Sequence, residues 1–80
     1  MTTPPPAFYR QACELLDAAF LAAHAAQREA AAAWDAHNAG TLSFADAWAI
    51  QERTDAAWEK RREAGDAYSA AYRKWGSMVV

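Results

Sequence analysis

The chain has 80 residues, a mass of 8.8 kDa and a formal net charge of -2, which limits it to one small domain. Hydrophobic residues make up 54% of it, but 23 of the 80 residues are alanine, so the strongly apolar share is small for a core. Length, charge and the single cysteine, Cys13, argue against a membrane-spanning segment, an internal disulfide, a generally basic nucleic-acid binder and a strongly acidic nucleic-acid mimic.

The N-terminal segment, residues 1–6, contains three consecutive prolines and no charged side chain. It lacks the basic and apolar regions of a secretory signal, so we expect a flexible lead-in and a cytoplasmic protein. From Ala7 to about His37 the chain has neither glycine nor proline, and nearly every residue is a good helix former. This stretch predicts a long first helix, for which Pro6 is a suitable start because its missing N–H costs nothing there.

A turn is predicted over residues 38–43. Gly40 tolerates the left-handed backbone that ends many helices. Ser43, with the acidic Asp46 three positions later, is typical of a helix N-cap.

The second predicted helix runs from Phe44 to about Trp75 and is ended by Gly76, which leaves a frayed tail over residues 77–80. The connection between the two helices is short, and a short connection favours antiparallel neighbours. We therefore expect an all-α fold with one helical-hairpin domain over residues 7–76.

The predicted interface follows from the helical period of 100° per residue. The inner stripe of helix 1 is Tyr9, Ala12, Cys13, Leu16, Ala19, Phe20, Ala23, Gln27, Ala30 and Trp34, and that of helix 2 is Phe44, Ala47, Gln51, Thr54, Trp58, Gly65 and Tyr72. Antiparallel partners have residue numbers that add up to about 81, so large side chains face small ones, as Leu16 faces Gly65.

Polar residues inside the stripes call for their own explanation. Gln27 and Gln51 form either a tolerated polar pair or a device that sets the register or the oligomeric state. Arg61 lies on the inner side of helix 2, and we expect its stem to cover apolar surface while the guanidinium reaches Asp17 or Glu14.

Two helices bury only one face each, and about half of their circumference is apolar or alanine. Such a hairpin gains stability by pairing with something else. We expect a homodimer that forms a four-helix bundle, or docking on a partner protein.

Residue types and spacing give no sign of catalysis. Cys13 lies on the core stripe, where a cysteine is typically a small buried hydrophobe. His24 and His37 lie on different faces without metal-ligand spacing, and His37 is placed to interact with the last carbonyls of helix 1. No phosphate-binding glycine loop or Ser/His/Asp arrangement occurs, so we expect no enzyme, no metal and no cofactor.

The charge is uneven along the chain. Residues 1–59 contain three basic and eight acidic side chains, whereas residues 60–80 contain five basic and two acidic ones. Weak nucleic-acid binding through this basic segment is an alternative function, and its candidate residues are Lys60, Arg62, Arg73 and Lys74.

Trp48 lies off the core stripes beside two acidic residues, and tryptophan is enriched at binding hot spots. The candidate partner-binding residues are Trp48, Trp75, Leu21, Arg73, Lys74, Glu52 and Asp55. We expect a protein-interaction module that acts as a stoichiometric binder, inhibitor or adaptor of a larger protein. In size and exposed aromatic residues, the chain is similar to the small proteins that phages and mobile elements encode to inhibit host enzymes, anti-CRISPR proteins among them. It has no motif of that class. The alternative is a structural or regulatory homo-oligomer with no larger target.

Overall fold

A computed structural model describes residues 4–79, which form two helices joined by one turn. α1 covers Ala7–Asn38 and α2 covers Phe44–Met78, and the two lie antiparallel along each other. The predicted all-α helical hairpin is therefore confirmed. Residues 1–3 of the expected lead-in and Val80 of the expected tail lie outside the described residues.

α1 begins directly after Pro6, whose backbone is extended. The Pro6 carbonyl accepts hydrogen bonds from the N–H groups of Tyr9 and Arg10, both at 3.1 Å. Proline thus starts the helix where the N–H that it lacks would have no partner.

The turn after α1 depends on Gly40, which has a φ of +82°. Its N–H donates to the His37 carbonyl at 3.0 Å, and the Thr41 N–H donates to the Ala36 carbonyl at 2.9 Å. Together these two bonds form the arrangement by which a left-handed glycine satisfies the last carbonyls of a helix.

α2 begins at the predicted N-cap. The Ser43 hydroxyl accepts a hydrogen bond from the Asp46 N–H at 3.2 Å, and the Asp46 carboxylate lies in the first helical turn. A negative charge at this place interacts favourably with the helix dipole.

The far end of α2 differs from the prediction, because the helix continues through Gly76 to Met78. A glycine inside a helix costs only about 1 kcal/mol relative to alanine, so by itself it does not end the helix. The Ser77 hydroxyl donates to the Lys74 carbonyl at 2.8 Å within this last turn.

The contact between the helices is made by small residues. The alanine seam consists of Ala12, Ala23, Ala30, Ala33 and Ala47, all of them buried. Thr54 is the buried polar residue beside it, and its hydroxyl donates to the Ala26 carbonyl across the interface at 2.9 Å. Among the described residues no large side chain is fully buried, so the helix backbones approach closely along the seam.

Three large residues that the helical period assigned to the core are instead exposed. The exposed fractions of Phe20, Phe44 and Tyr72 are 42%, 59% and 57%. The physical reason is the alanine seam: where the backbones approach closely, a large side chain fits only at the flank of the interface. Similarly, a Cβ added at Gly65 would meet no atom within 4 Å, so Leu16 does not pack closely onto this glycine as predicted.

Candidate interaction surface

Aromatic side chains extend along one flank of the hairpin from the turn. The rings of Phe44 and Trp48 stack with centroids 6.2 Å apart at 10°. Phe44 also meets Trp34 edge to face at 5.6 Å. The Trp34 indole N–H donates to Gln51 at 2.9 Å, which fixes the ring beside α2.

A second aromatic cluster lies near the middle of the hairpin. The Phe20 and His24 rings are 4.3 Å apart, and His24 lies 5.5 Å from Trp58 on α2. The two clusters are joined by a cleft lined by Gln27, Ala30, Ala31, Trp34, Gln51, Thr54, Asp55 and Trp58. We call this continuous surface the aromatic face, and its members are Phe20, His24, Trp34, Phe44, Trp48 and Trp58.

Arg61 lies opposite Phe20, as the register predicts, but its charge is used differently from the prediction. The guanidinium carbon is 5.3 Å from the centre of the Phe20 ring and 5.4 Å from that of Trp58. In the described part of the chain it forms no salt bridge with Asp17 or Glu14, and its buried Nε has no hydrogen-bond partner. The aromatic rings hold this cation by cation–π attraction and contact with its stem.

The glutamines and His37 also depart from their predicted roles. Gln27 is exposed, while Gln51 accepts from Trp34 and donates to Asp55 at 3.0 Å. The two glutamines line the same cleft but form no hydrogen bond with each other among the described residues, because the amide of Gln51 is already bonded to Trp34 and Asp55. The His37 ring hydrogen-bonds through Nδ1 to the Leu42 carbonyl at 3.0 Å, so it closes the turn rather than the end of α1.

A tyrosine cluster holds the open end of the hairpin, which comprises residues 4–13 and 68–79. Tyr9 and Tyr68 share a hydrogen bond of 3.1 Å between their hydroxyls, and the Trp75 ring lies 4.7 Å from Tyr9. The hydrogen bond with Tyr68, together with burial and the nearby Cys13 side chain, raises the pKa of the Tyr9 phenol above its ordinary value.

The predicted partner-binding residues fall into three groups. Trp48 belongs to the aromatic face and Asp55 borders its cleft, while Glu52 is exposed on the same helix. At the open end, Trp75 is half-buried against Tyr9, Arg73 is exposed, and the Lys74 amine lies 4.4 Å from the centre of the Phe8 ring. Leu21 is 68% exposed on the outer side of α1, half a helical turn away from the seam. The predicted partner-binding residues therefore lie on more than one surface of the hairpin.

The sequence prediction missed most of the aromatic face. Phe20, Trp34, Phe44 and Trp58 had all been assigned to the core stripes. A usable signal was present in the seam itself, since all the buried positions that the structure describes are small residues: four alanines on α1, and Ala47 with Thr54 on α2. A seam of small residues brings helices close together and places the large residues beside it at the surface.

The four basic residues considered for nucleic acid do not form a single stripe. Arg62 pairs with Glu59 on its own helix, and Lys74 covers Phe8. Lys60 instead lines a groove on the other flank of the hairpin, together with Arg53 and the alanines Ala19, Ala22, Ala56 and Ala57. By the helical period, Arg62 and Arg73 lie on one side of α2, and Lys60 and Lys74 lie on another.

Within residues 4–79, no three histidine, cysteine or acidic side chains lie close enough together to hold a metal ion. Cys13 is a half-buried free thiol beside Tyr9. Neither described helix combines the length and apolar character that crossing a membrane requires.

Comparison with known proteins finds no relative of the chain. No protein-family model matches the sequence, and no curated protein or solved structure is significantly similar to it.

Proposed function

We propose that the chain is a non-enzymatic protein-interaction module, which docks on the surface of another polypeptide through its aromatic face. The observation that carries this proposal is the exposure of two ring clusters that are joined by one cleft. Phe20, Phe44 and Trp48 are 42%, 59% and 47% exposed, although each contacts another aromatic ring. Contiguous apolar surface of this kind is typical of protein-binding sites in soluble proteins.

The ring arrangement suits docking because the anchors are already in place. Trp34 is fixed by its bond to Gln51, and Trp48 is stacked on Phe44, so little side-chain freedom is lost on binding. Tryptophan and arginine are the residues most enriched at binding hot spots, and Arg61 lies among the rings.

Charged side chains at the edge of the face supply orientation. Asp55 borders the cleft, and Arg62 lines a neighbouring hollow that also includes Asp55 and Trp58. Charges at the rim of an interface affect specificity and association rate more than affinity. A module of this design would act as a stoichiometric inhibitor or adaptor, like those that phages direct against host enzymes, because occupying a surface requires no catalytic group.

The test uses the substitution Trp48→Ala, with Leu15→Ala as the matched control. Leu15 is 60% exposed but lies one helical turn before Ala19, on the flank away from the aromatic face. A partner captured from the source organism is purified and titrated with each variant. We expect Trp48→Ala to cost more than about 1 kcal/mol of binding, roughly a fivefold loss of affinity, with the helical circular dichroism unchanged.

Two results would contradict the proposal. In the first, the Trp48 and Leu15 variants bind equally well, which would mean that the aromatic face is not the docking surface. In the second, Trp48→Ala abolishes the helical signal, which would make this tryptophan a structural residue.

A further inference from the structure

The hairpin is far more elongated than a compact protein of its length. The Cα trace measures 60 × 19 × 13 Å, with a radius of gyration of 18.0 Å. A compact chain of this length has a radius of gyration of about 12 Å. The aromatic face therefore lies on a thin rod that consists of a single layer of two helices.

The exposed area indicates how much surface a partner would have to cover. The accessible surface is 5920 Å², whereas a compact monomer of 8.8 kDa exposes about 4,800 Å². The excess of roughly 1,100 Å² exceeds the ~800 Å² that each partner buries in a standard protein interface. The surface in excess is thus as large as one side of a stable dimer.

The distribution of charge favours a second copy of the chain as the partner. The turn end, residues 24–57, has five acidic and two basic side chains, a net charge of -3. The open end has three basic side chains, Arg10, Arg73 and Lys74, and no acidic one among its described residues, a net charge of +3. A second copy placed antiparallel brings each open end beside the turn end of the other chain, whereas a parallel copy places like charges together.

The positions of exposed aromatic residues also favour an antiparallel second copy. Trp48 and Tyr72 are 47% and 57% exposed, and they lie near opposite ends of α2 at similar distances from its centre. Antiparallel copies of α2 therefore bring Trp48 of one chain to the level of Tyr72 of the other. Phe20 and Trp58 lie near the middle of the hairpin, where a two-fold axis makes each patch contact its own equivalent.

We propose that the polypeptide covering the aromatic face is a second copy of this chain, packed antiparallel to form a four-helix bundle. The inference rests on the proposed function, since it names the occupant of the same docking surface. Packing two hairpins face to face also supplies the second helix layer that each lacks alone.

The first arm of the test measures mass and its dependence on the aromatic face. Sedimentation equilibrium of the full chain should give twice 8.8 kDa at high concentration and the monomer mass on dilution. Trp48→Ala should weaken the dimer at least about fivefold, and Leu15→Ala should leave it unchanged. A monomer mass at every concentration would overturn the inference.

The second arm tests the antiparallel arrangement with a spin label on Ala45→Cys in a Cys13→Ala background. Ala45 is exposed in the first turn of α2 and 16 residues from its centre. At 1.5 Å per residue, an antiparallel dimer separates the two labels by about 50 Å, and a parallel dimer holds them within about 20 Å. The short distance would overturn the inference.

A charge exchange provides the third arm. Arg73→Glu with Lys74→Glu should weaken the dimer several-fold, as should Asp35→Lys with Glu52→Lys, and combining the two pairs should restore it. If the combined variant is weaker than either pair alone, the ends do not face each other and the inference fails.

The outcomes also separate this inference from the proposed function. A monomer whose captured partner is lost with Trp48→Ala overturns the second copy and supports the docking face. A dimer that is unaffected by Trp48→Ala overturns the second copy on this face, and it overturns the docking face as well when the captured partner also binds the Trp48 variant unchanged.

Discussion

For Arg61, the register of the helices predicted the position of the side chain but not the partner of its charge. Its position opposite Phe20 followed from the antiparallel numbering, because that numbering depends only on the length of the turn. The partner of its charge did not follow. Helical spacing states which residues are neighbours, but whether a guanidinium meets a carboxylate or a ring depends on rotamers that the local packing selects.

The hydrogen bond that Thr54 makes between the helices leads to a testable prediction. Its buried hydroxyl donates to the Ala26 carbonyl on the other helix at 2.9 Å, while the exposed Thr41 hydroxyl donates to Ala36 at 3.0 Å. We expect Thr54→Val to lower the free energy of unfolding by about 1 kcal/mol, because the hydrogen bond between the helices is lost inside the interface.

The matched control is Thr41→Val, which removes the same type of bond where water can replace it. Urea denaturation of the two variants makes the comparison. Equal losses for both would show that the bond from Thr54 contributes nothing specific to the contact between the helices.

At the scale of the element, the helix boundaries were largely predictable because they depend on local chemistry. Ser43 caps α2 and Gly40 ends α1, each through bonds within a few residues. The end of α2 was less predictable, since Gly76 has no competing turn structure and the helix continues past it.

The orientation of the aromatic residues was not predictable from the period alone. The predicted inner stripes contain both Phe20 and Phe44 and most of the seam alanines, so the period does not say which of these residues lie in the contact and which lie at its flank. The choice between them depends on how closely the backbones approach. That distance is a property of both helices together.

Two glycines give opposite predictions for the same substitution. Gly65 lies within α2, and an added Cβ would meet nothing within 4 Å. Gly65→Ala should therefore raise the free energy of unfolding by about 0.5–1 kcal/mol, through higher helix propensity. Gly40→Ala should lower it by about 1 kcal/mol, because alanine is strained at a φ of +82°.

Thermal melts followed by circular dichroism measure both changes. A lower midpoint for Gly65→Ala would mean that the glycine is needed for a close approach after all. An unchanged midpoint for Gly40→Ala would mean that the turn does not depend on the left-handed glycine.

At the scale of the whole molecule, the composition indicated the shape. An alanine-rich hairpin can pack small side chains between its two helices, but it has no third helix to cover the large ones. The consequence is a rod with an accessible surface of 5920 Å² and two clusters of rings on one flank. The sequence indicated that surface would be left over; which flank carries it depended on the structure.

The central claim is that a second copy of the chain covers the aromatic face, and the most direct test is the thermal unfolding midpoint over a roughly hundredfold range of chain concentration. We predict that the midpoint rises with concentration, because association stabilises only the folded hairpin, and that Trp48→Ala removes most of this rise. A midpoint that stays the same across the whole range would contradict the account, since it would show that no second copy binds the folded hairpin.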